Sequence, residues 1–428
     1  MTLLELAKAG KITEEMEYVA KNEEVTSEYI RKGVAEGTIV ILNSPRENIK
    51  PIAVGKGMFT KVNASIGLYE EDDTIESEMK KVEYALKAHT DTIMDLSVRG
   101  DIKAMREQVL STVSCPVGTL PIYETLNEAA IKYNSPLDMT IEDMLATIEE
   151  HAKQGVSFVA LHPATLLSVV YKAKEEKRVD PLVSYGGSHL IGWMIYHEKE
   201  NPLYENFDKI LEICKKYDVV LSFADGMRPG TVMDSLDGAQ VEELVILGSL
   251  VRRAREANVQ VMVKGPGHVM LDQIETTVKL QKKLCLNAPY FVFGCLPTDT
   301  AVGNDHITSA IGGAIAGYAG ADFLCYVTPA EHIGMPNCDE VYTGVMASRM
   351  AAHAADVGKR KPAAVKWDRD ISVARRAMDW ETQFKLAIDP ETARRMYKER
   401  SGEFTSECTM CGKYCAMKIV EKYFRESK

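Results

Sequence analysis

No run of about eighteen apolar residues occurs in the 428 residues of this chain, so no segment is expected to cross a membrane. Positive charge is also scarce. Lys and Arg number 51 against 62 Asp and Glu, a net charge of −11. A nucleic-acid partner, which needs a basic footprint, is therefore not expected. A small phosphorylated ligand stays open, because one or two arginines or a helix N-terminus suffice for it. The opening stretch, Met1 to Gly10, is short, charged and helical in period rather than leader-like. A cytoplasmic location is expected. One further absence bears on metal binding: beyond Cys408, Cys411 and Cys415, no Cys or His falls between 354 and 428.

Those three cysteines are spaced as Cys408-x2-Cys411-x3-Cys415. A structural zinc needs four ligands, and the fourth is missing. Three thiolates suit a 4Fe–4S cube better, one iron being left open for a substrate or cofactor. A redox Cys-x2-Cys pair would leave the third cysteine idle. Bunched cysteines in a reducing compartment favour metal over disulfide. The other six, at 115, 214, 285, 295, 325 and 338, are scattered through mostly apolar runs and read as small buried hydrophobes.

Composition is that of a globular protein, 46% hydrophobic and 26% charged. Three regions are expected: an N-terminal subdomain over 1–58, a barrel over 59–366, and a helical arm with the cysteine segment over 367–428. The first has helical stretches over Glu14–Lys21 and Ser27–Glu36 and a strand over Thr38–Leu42. From 59 onward, β-rich runs alternate with helical ones. Candidate strands are Lys61–Ser65, Thr92–Leu96, Val117–Leu120, Ser157–Leu161, Leu182–Tyr185, Val219–Phe223, Val259–Val263, Phe291–Gly294 and Phe323–Val327. The pattern predicts a (β/α)8 barrel, although nine candidates compete for eight places. A doubly wound sheet is the alternative, but it would gather function at one switch point. Here polar or glycine-rich residues close nearly every strand, as barrel active sites require.

Several of these strand ends carry chemistry. His268 follows Gly265-Pro-Gly, and His332 closes Thr328-Pro-Ala-Glu. Each alone reads as a satisfied interior group. Two at neighbouring strand ends suggest a divalent metal with exogenous ligands completing it. Asp225-Gly-Met-Arg228-Pro-Gly230 suits an anionic or polar ligand, or else a tight turn. In Ser184-Tyr-Gly-Gly-Ser188 the backbone amides offer a phosphate cradle, or again a turn. Asp305-His306-Ile-Thr308 reads as a helix cap.

Together these stretches resemble the thiamin pyrimidine (phosphomethylpyrimidine) synthase family of radical S-adenosylmethionine enzymes. The motifs are Ile93-Met-Asp-Leu-Ser97, Gly118-Thr-Leu-Pro-Ile-Tyr123, Asp225 to Gly230, Gly265 to His268, Asp305 to Gly312, Leu324 to His332, Ala351-Ala-His-Ala-Ala-Asp356 and the terminal cysteines. The resemblance implies a barrel whose cluster arm serves the partner subunit of a homodimer. It implies S-adenosylmethionine on the open iron, and a flavodoxin- or ferredoxin-type electron donor. A 5′-deoxyadenosyl radical would then attack 5-aminoimidazole ribotide. It also implies that His268 and His332 hold a second metal, zinc or iron. By position, Met94, Tyr123, His162, Ser184, Gly186, Asp225, Gly226, Met227 and Arg228 match the family's substrate pocket.

The departures concentrate in that pocket. The thiamin enzymes' Asn-Ala-Asn is Asn63-Ala-Ser65 here, their Ser-Arg-Gly-Gly is Ser184-Tyr185-Gly-Gly, and the Glu before Gly-Pro-Gly-His is Lys264. A pocket Tyr is Phe291. Charge changes where an anionic substrate binds are unlike neutral drift. They fit the paralogues that make 5-hydroxybenzimidazole from the same substrate, the lower-ligand base of anaerobic cobamides. Hydroxymethylpyrimidine phosphate is the alternative product.

Overall fold

The structure is a computed structural model that describes residues 1–401 and 410–425. Met1–Asp356 form one compact unit and Val357–Lys428 a second.

Threonines open each of the first three helices, Leu3–Lys8, Glu14–Asn22 and Ser27–Glu36. Thr2, Thr13 and Thr26 each accept a hydrogen bond from a first-turn amide. The last of the three ends at Gly37, whose φ of 71° is a left-handed stop that glycine takes without strain. Strands β1 (Ile39–Leu42) and β2 (Ile52–Gly55) then pair antiparallel. The sequence reading missed β2, since Pro51 and the glycines after it read as a chain exit. Met16, Ile30, Val34, Ile39 and Ile41 pack together beneath this hairpin. The layer is tied to the barrel by polar contacts. The Ile41 amide donates to Gln260 Oε1 (2.8 Å), and Lys61 pairs with Glu23 at 2.6 Å.

Eight parallel strands follow: β3 (Lys61–Ile66), β4 (Thr92–Asp95), β5 (Val117–Thr119), β6 (Phe158–Leu161), β7 (Val220–Phe223), β8 (Val261–Gly265), β9 (Tyr290–Val292) and β10 (Phe323–Cys325). They run in sequence order, and β10 closes back onto β3, setting Phe323 opposite Lys61 and Phe291. This is the expected (β/α)8 barrel, and the doubly wound alternative falls. Its interior is filled, as small barrels are. Phe291 stacks on Phe323 with ring centroids 4.1 Å apart. Gly118 leaves room for the Phe158 ring, which a Cβ there would meet at 2.1 Å.

The ninth candidate strand, Leu182–Tyr185, is not a strand. Ser184 caps the helix Tyr185–His197, its Oγ accepting from the Gly187 amide (3.2 Å). The apolar Leu182-Val183 pair imitated a strand, but the cap residue and two glycines after it decide for a turn into a helix. The cap reading of Asp305 is also corrected. Helix Asp305–Ala319 follows Asn304 with no side-chain cap, and Asp305 is its first residue.

In the second unit, the expected helical arm comprises helices Pro362–Arg376, Trp380–Leu386 and Pro390–Ser401. Trp380, Phe384 and Tyr397 pack their rings together, Trp380 and Tyr397 at 4.4 Å. Helix Ala416–Arg425 closes the described residues. Among them no helix is long and apolar enough to cross a membrane.

Candidate active site

The loops after the barrel strands enclose a cavity of about 280 Å³. Ser65, Tyr123, Tyr185 and Arg228 line it, four of the residues expected in the pocket. Phe293, Cys325, Tyr326, Thr328 and Glu331 complete much of its wall. Tyr185 stands on the first turn of its helix with its ring edge-on to Tyr123, 5.1 Å between centroids. The Tyr326 hydroxyl donates to the Ser65 carbonyl (2.7 Å), fixing the end of β3.

Other expected residues sit behind this lining. Met94, His162, Met227 and Phe291 are fully buried. His162 Nε2 lies 3.1 Å from Ser184 Oγ, which joins two of the predicted positions. Burial, reinforced by the charges of Arg228 and Lys264, pushes the His162 imidazole down to about 3, so it is neutral near pH 7. Gly186 packs on that ring, since a Cβ there would meet His162 Cε1 at 2.6 Å.

Lys264 lies near the end of β8 with 5% of its surface exposed. Its Nζ stands 5.0 Å from the Phe291 ring centre and 5.5 Å from that of Phe293. No hydrogen bond from the ammonium is found among the described residues; burial lowers its pKa, with Cys325, Asp225 and Glu331 pulling the other way. Arg228 approaches Phe293 from another side, at 5.4 Å. Its guanidinium reaches Asp225 Oδ1 at 3.4 Å, while the buried Asp225 Oδ2 has no hydrogen-bond partner among the described residues.

His268 and His332 come together as the sequence suggested, with ring centroids 5.2 Å apart. Each has a carboxylate on Nδ1: Asp299 Oδ1 at 2.7 Å from His268, and Asp305 Oδ1 at 3.1 Å from His332. A carboxylate holding Nδ1–H leaves the Nε2 lone pair for a metal. The second oxygen of Asp305 is buried without a partner. These features suit a metal site. Among the described residues no group of three or more His, Cys, Asp or Glu gathers as a complete metal-binding set.

Sequence reasoning missed Asp299 and Asp305 as partners of the histidines. Asp299 carried no motif of its own beyond the common pattern of polar residues after strands, and Asp305 read as a cap. It also missed Glu331, Tyr69 and Tyr326 in the wall. The signal for Glu331 was its place directly before His332.

Cys411 and Cys415 flank a single short turn, Gly412–Tyr414. The Cys415 carbonyl accepts from the Ile419 amide (3.0 Å), so this cysteine stands at the start of a helix. Cys411 is exposed and Cys415 is buried. Both thiols are free and close in sequence, as cluster ligands must be. Cys408 lies outside the described residues.

A parallel barrel with a cavity of mixed polar and apolar lining beyond its strands, followed in sequence by a cysteine turn, fits an enzyme of small-molecule chemistry. The chain belongs to the Radical SAM ThiC family, whose model matches residues 2–422. That family implies a 4Fe–4S cluster and S-adenosylmethionine. The chain is 73% identical to the 5-hydroxybenzimidazole synthase BzaA of Eubacterium limosum, over 99% of this chain and 100% of that protein. It is 59% identical to the same-named protein of Moorella thermoacetica, over 99% and 98%. The phosphomethylpyrimidine synthase of Desulforamulus reducens is 50% identical, over 99% and 98%.

Proposed function

We propose that this chain is a 5-hydroxybenzimidazole synthase, a radical S-adenosylmethionine lyase that converts 5-aminoimidazole ribotide into the lower-ligand base of anaerobic cobamides. The observation that carries the reading is the gradient of similarity. Relatives with that name reach 73% and 59% identity, against 50% for the phosphomethylpyrimidine synthase. The position of the departures agrees with it. Ser65 and Tyr185 both line the cavity, where a changed side chain changes what fits.

Cys408, Cys411 and Cys415 would hold the 4Fe–4S cluster, which when bound would supply the electron for cleavage of S-adenosylmethionine. The chain's own residues bind and orient the ribotide. Arg228 and Lys264 give it positive charge in a dry site, where charge counts most. The amides at the start of helix Tyr185–His197 face its phosphate. Tyr123 and Tyr185 flank its ring, Met94 and Phe291 back the floor, and neutral His162 orders the Ser184 turn. His268 and His332 would hold zinc or iron, with Asp299 and Asp305 orienting the two rings. The enzyme works as a cytoplasmic homodimer, fed by a flavodoxin- or ferredoxin-type donor.

The test is anaerobic product analysis. Cluster-reconstituted protein is given a strong reductant, S-adenosylmethionine and 5-aminoimidazole ribotide, and the products are identified by mass spectrometry. 5-Hydroxybenzimidazole is expected. Hydroxymethylpyrimidine phosphate would move the chain to thiamin synthesis. Absence of 5′-deoxyadenosine would overturn the radical reading itself.

A further inference from the structure

One buried carboxylate outside the cavity lining holds the loop that carries Arg228. Glu243 lies within helix Gly238–Glu256 and is 1% exposed. Its neighbour Glu242 faces outward to Lys172 (3.0 Å). Glu243 Oε1 accepts from the Gly226 amide (3.0 Å) and the Thr165 hydroxyl (2.8 Å), and Oε2 accepts from the Met227 amide (3.0 Å). Donors from the loops after β6 and β7 thus converge on one side chain. Thr165 is itself held, because Asn201 Nδ2 donates to its carbonyl (3.0 Å) and to that of His162 (2.8 Å). The seat has no slack. A Cβ on Gly226 would meet Thr165 Oγ1 at 2.0 Å, and one on Gly187 would meet Gly226 Cα at 2.7 Å.

We propose that Glu243 is a positioning residue: it fixes the Asp225–Arg228 loop so that Arg228 faces the cavity, and so sets ribotide affinity without touching the ribotide. This rests on the reading of that loop as substrate-binding. Two observations support it. Glu243 borders a small void of about 20 Å³, shared with Asp225 and Lys264. An ionised carboxylate is costly in such a place unless hydrogen bonds compensate it. Burial and then the charge of Asp225 raise its carboxyl to about 7, against the pull of those three donors.

The experiment compares the wild type, Glu243→Gln and Arg228→Ala as full-length protein. Calorimetric titration with 5-aminoimidazole ribotide is paired with steady-state kinetics of the cluster-loaded enzyme. Glutamine keeps the shape but turns an amide N–H2 toward at least one of the three donors. The expected result is an affinity loss of about tenfold, the weight of roughly one charge-assisted hydrogen bond, with kcat at saturating ribotide held within about twofold. Arg228→Ala is expected to weaken binding at least as much. Weakened binding in Arg228→Ala but not in Glu243→Gln would overturn the positioning role and leave the pocket reading standing. Unchanged affinity in both would overturn the pocket reading and the positioning role with it. If Glu243→Gln does not fold, Thr165→Val removes one donor alone. A loss of about threefold is then expected, and none would overturn the role.

Discussion

Arg106, Glu124 and His151 form one buried cluster of charge in this barrel, and Asp225, Arg228 and Lys264 form another. The first is closed. Arg106 donates to both oxygens of Glu124 and to Gln154. His151 reaches Glu124 with Nε2 (2.7 Å) and Thr119 with Nδ1 (2.8 Å). The second is open. Among the described residues Asp225 Oδ2 has no hydrogen-bond partner, its other oxygen has Arg228 only at 3.4 Å, and the Lys264 ammonium lies over ring faces without a hydrogen bond. Buried polar groups are ordinarily satisfied, so the exceptions call for an explanation. A closed cluster gives stability and fixes the helix that carries Tyr123. An open one leaves valences for a ligand to fill, which is the role proposed above for these residues. Histidines follow the same division: both nitrogens of His151 are engaged, whereas His268 and His332 are each held by a carboxylate on Nδ1.

The comparison breaks most clearly at Arg106. Replacing this fully buried residue by leucine leaves Glu124 charged and half-paired. A stability loss of about 3–5 kcal/mol is expected in urea unfolding, while ribotide affinity of the protein that remains folded changes little. A loss below about 1 kcal/mol would show that the closed cluster is not structural.

Acid should separate the clusters next. Burial alone would raise Glu124, but hydrogen bonds from His151 and Arg106 outweigh it and hold its carboxyl at about 2, below its ordinary 4.5. The contribution of a depressed carboxyl is present above the unfolded value and is lost as pH falls through the folded one. Glu243 is displaced the other way, to about 7. Its contribution is present below 4.5 and is lost as pH rises through about 7. Urea midpoints from pH 2 to 5 are therefore expected to fall with acid in the wild type and to flatten in Glu124→Gln. An identical acid slope in that variant would remove Glu124 from the account.

How much of this was legible beforehand follows from the range of each signal. The eight barrel strands could be read because each is a short apolar run with a polar end, a local pattern. Leu182–Tyr185 misled because its first two residues carry the same pattern, and only Ser184 ahead of two glycines marks the turn. The two histidines stood out through their strand-end motifs. Their carboxylates did not, since the His268–Asp299 and His332–Asp305 pairs bridge separate loops. Glu243 carried no signal at all. Glu242 and Glu243 both suit a solvated helix face, and only the amides of Gly226 and Met227, brought over by the fold, show which one turns inward.

Lys264 gives the smallest effect and the sharpest test. A methionine there keeps the length of the side chain and its contact with Phe291 and Phe293. It removes an ammonium that makes no hydrogen bond among the described residues, although the charges of Asp225 and Glu331 favour it. Replacing buried charge by apolar groups of similar volume is often neutral or stabilising. Lys264→Met is thus expected to raise the urea-unfolding free energy by about 0–1 kcal/mol while weakening ribotide binding. The opposing signs are the point of the measurement. A group kept for the fold would lose stability on removal, as Arg106 is expected to. One kept for a ligand costs stability until the ligand arrives. A clear stability loss in Lys264→Met would mean that a partner in the barrel already satisfies the ammonium, and the second cluster would then be as closed as the first.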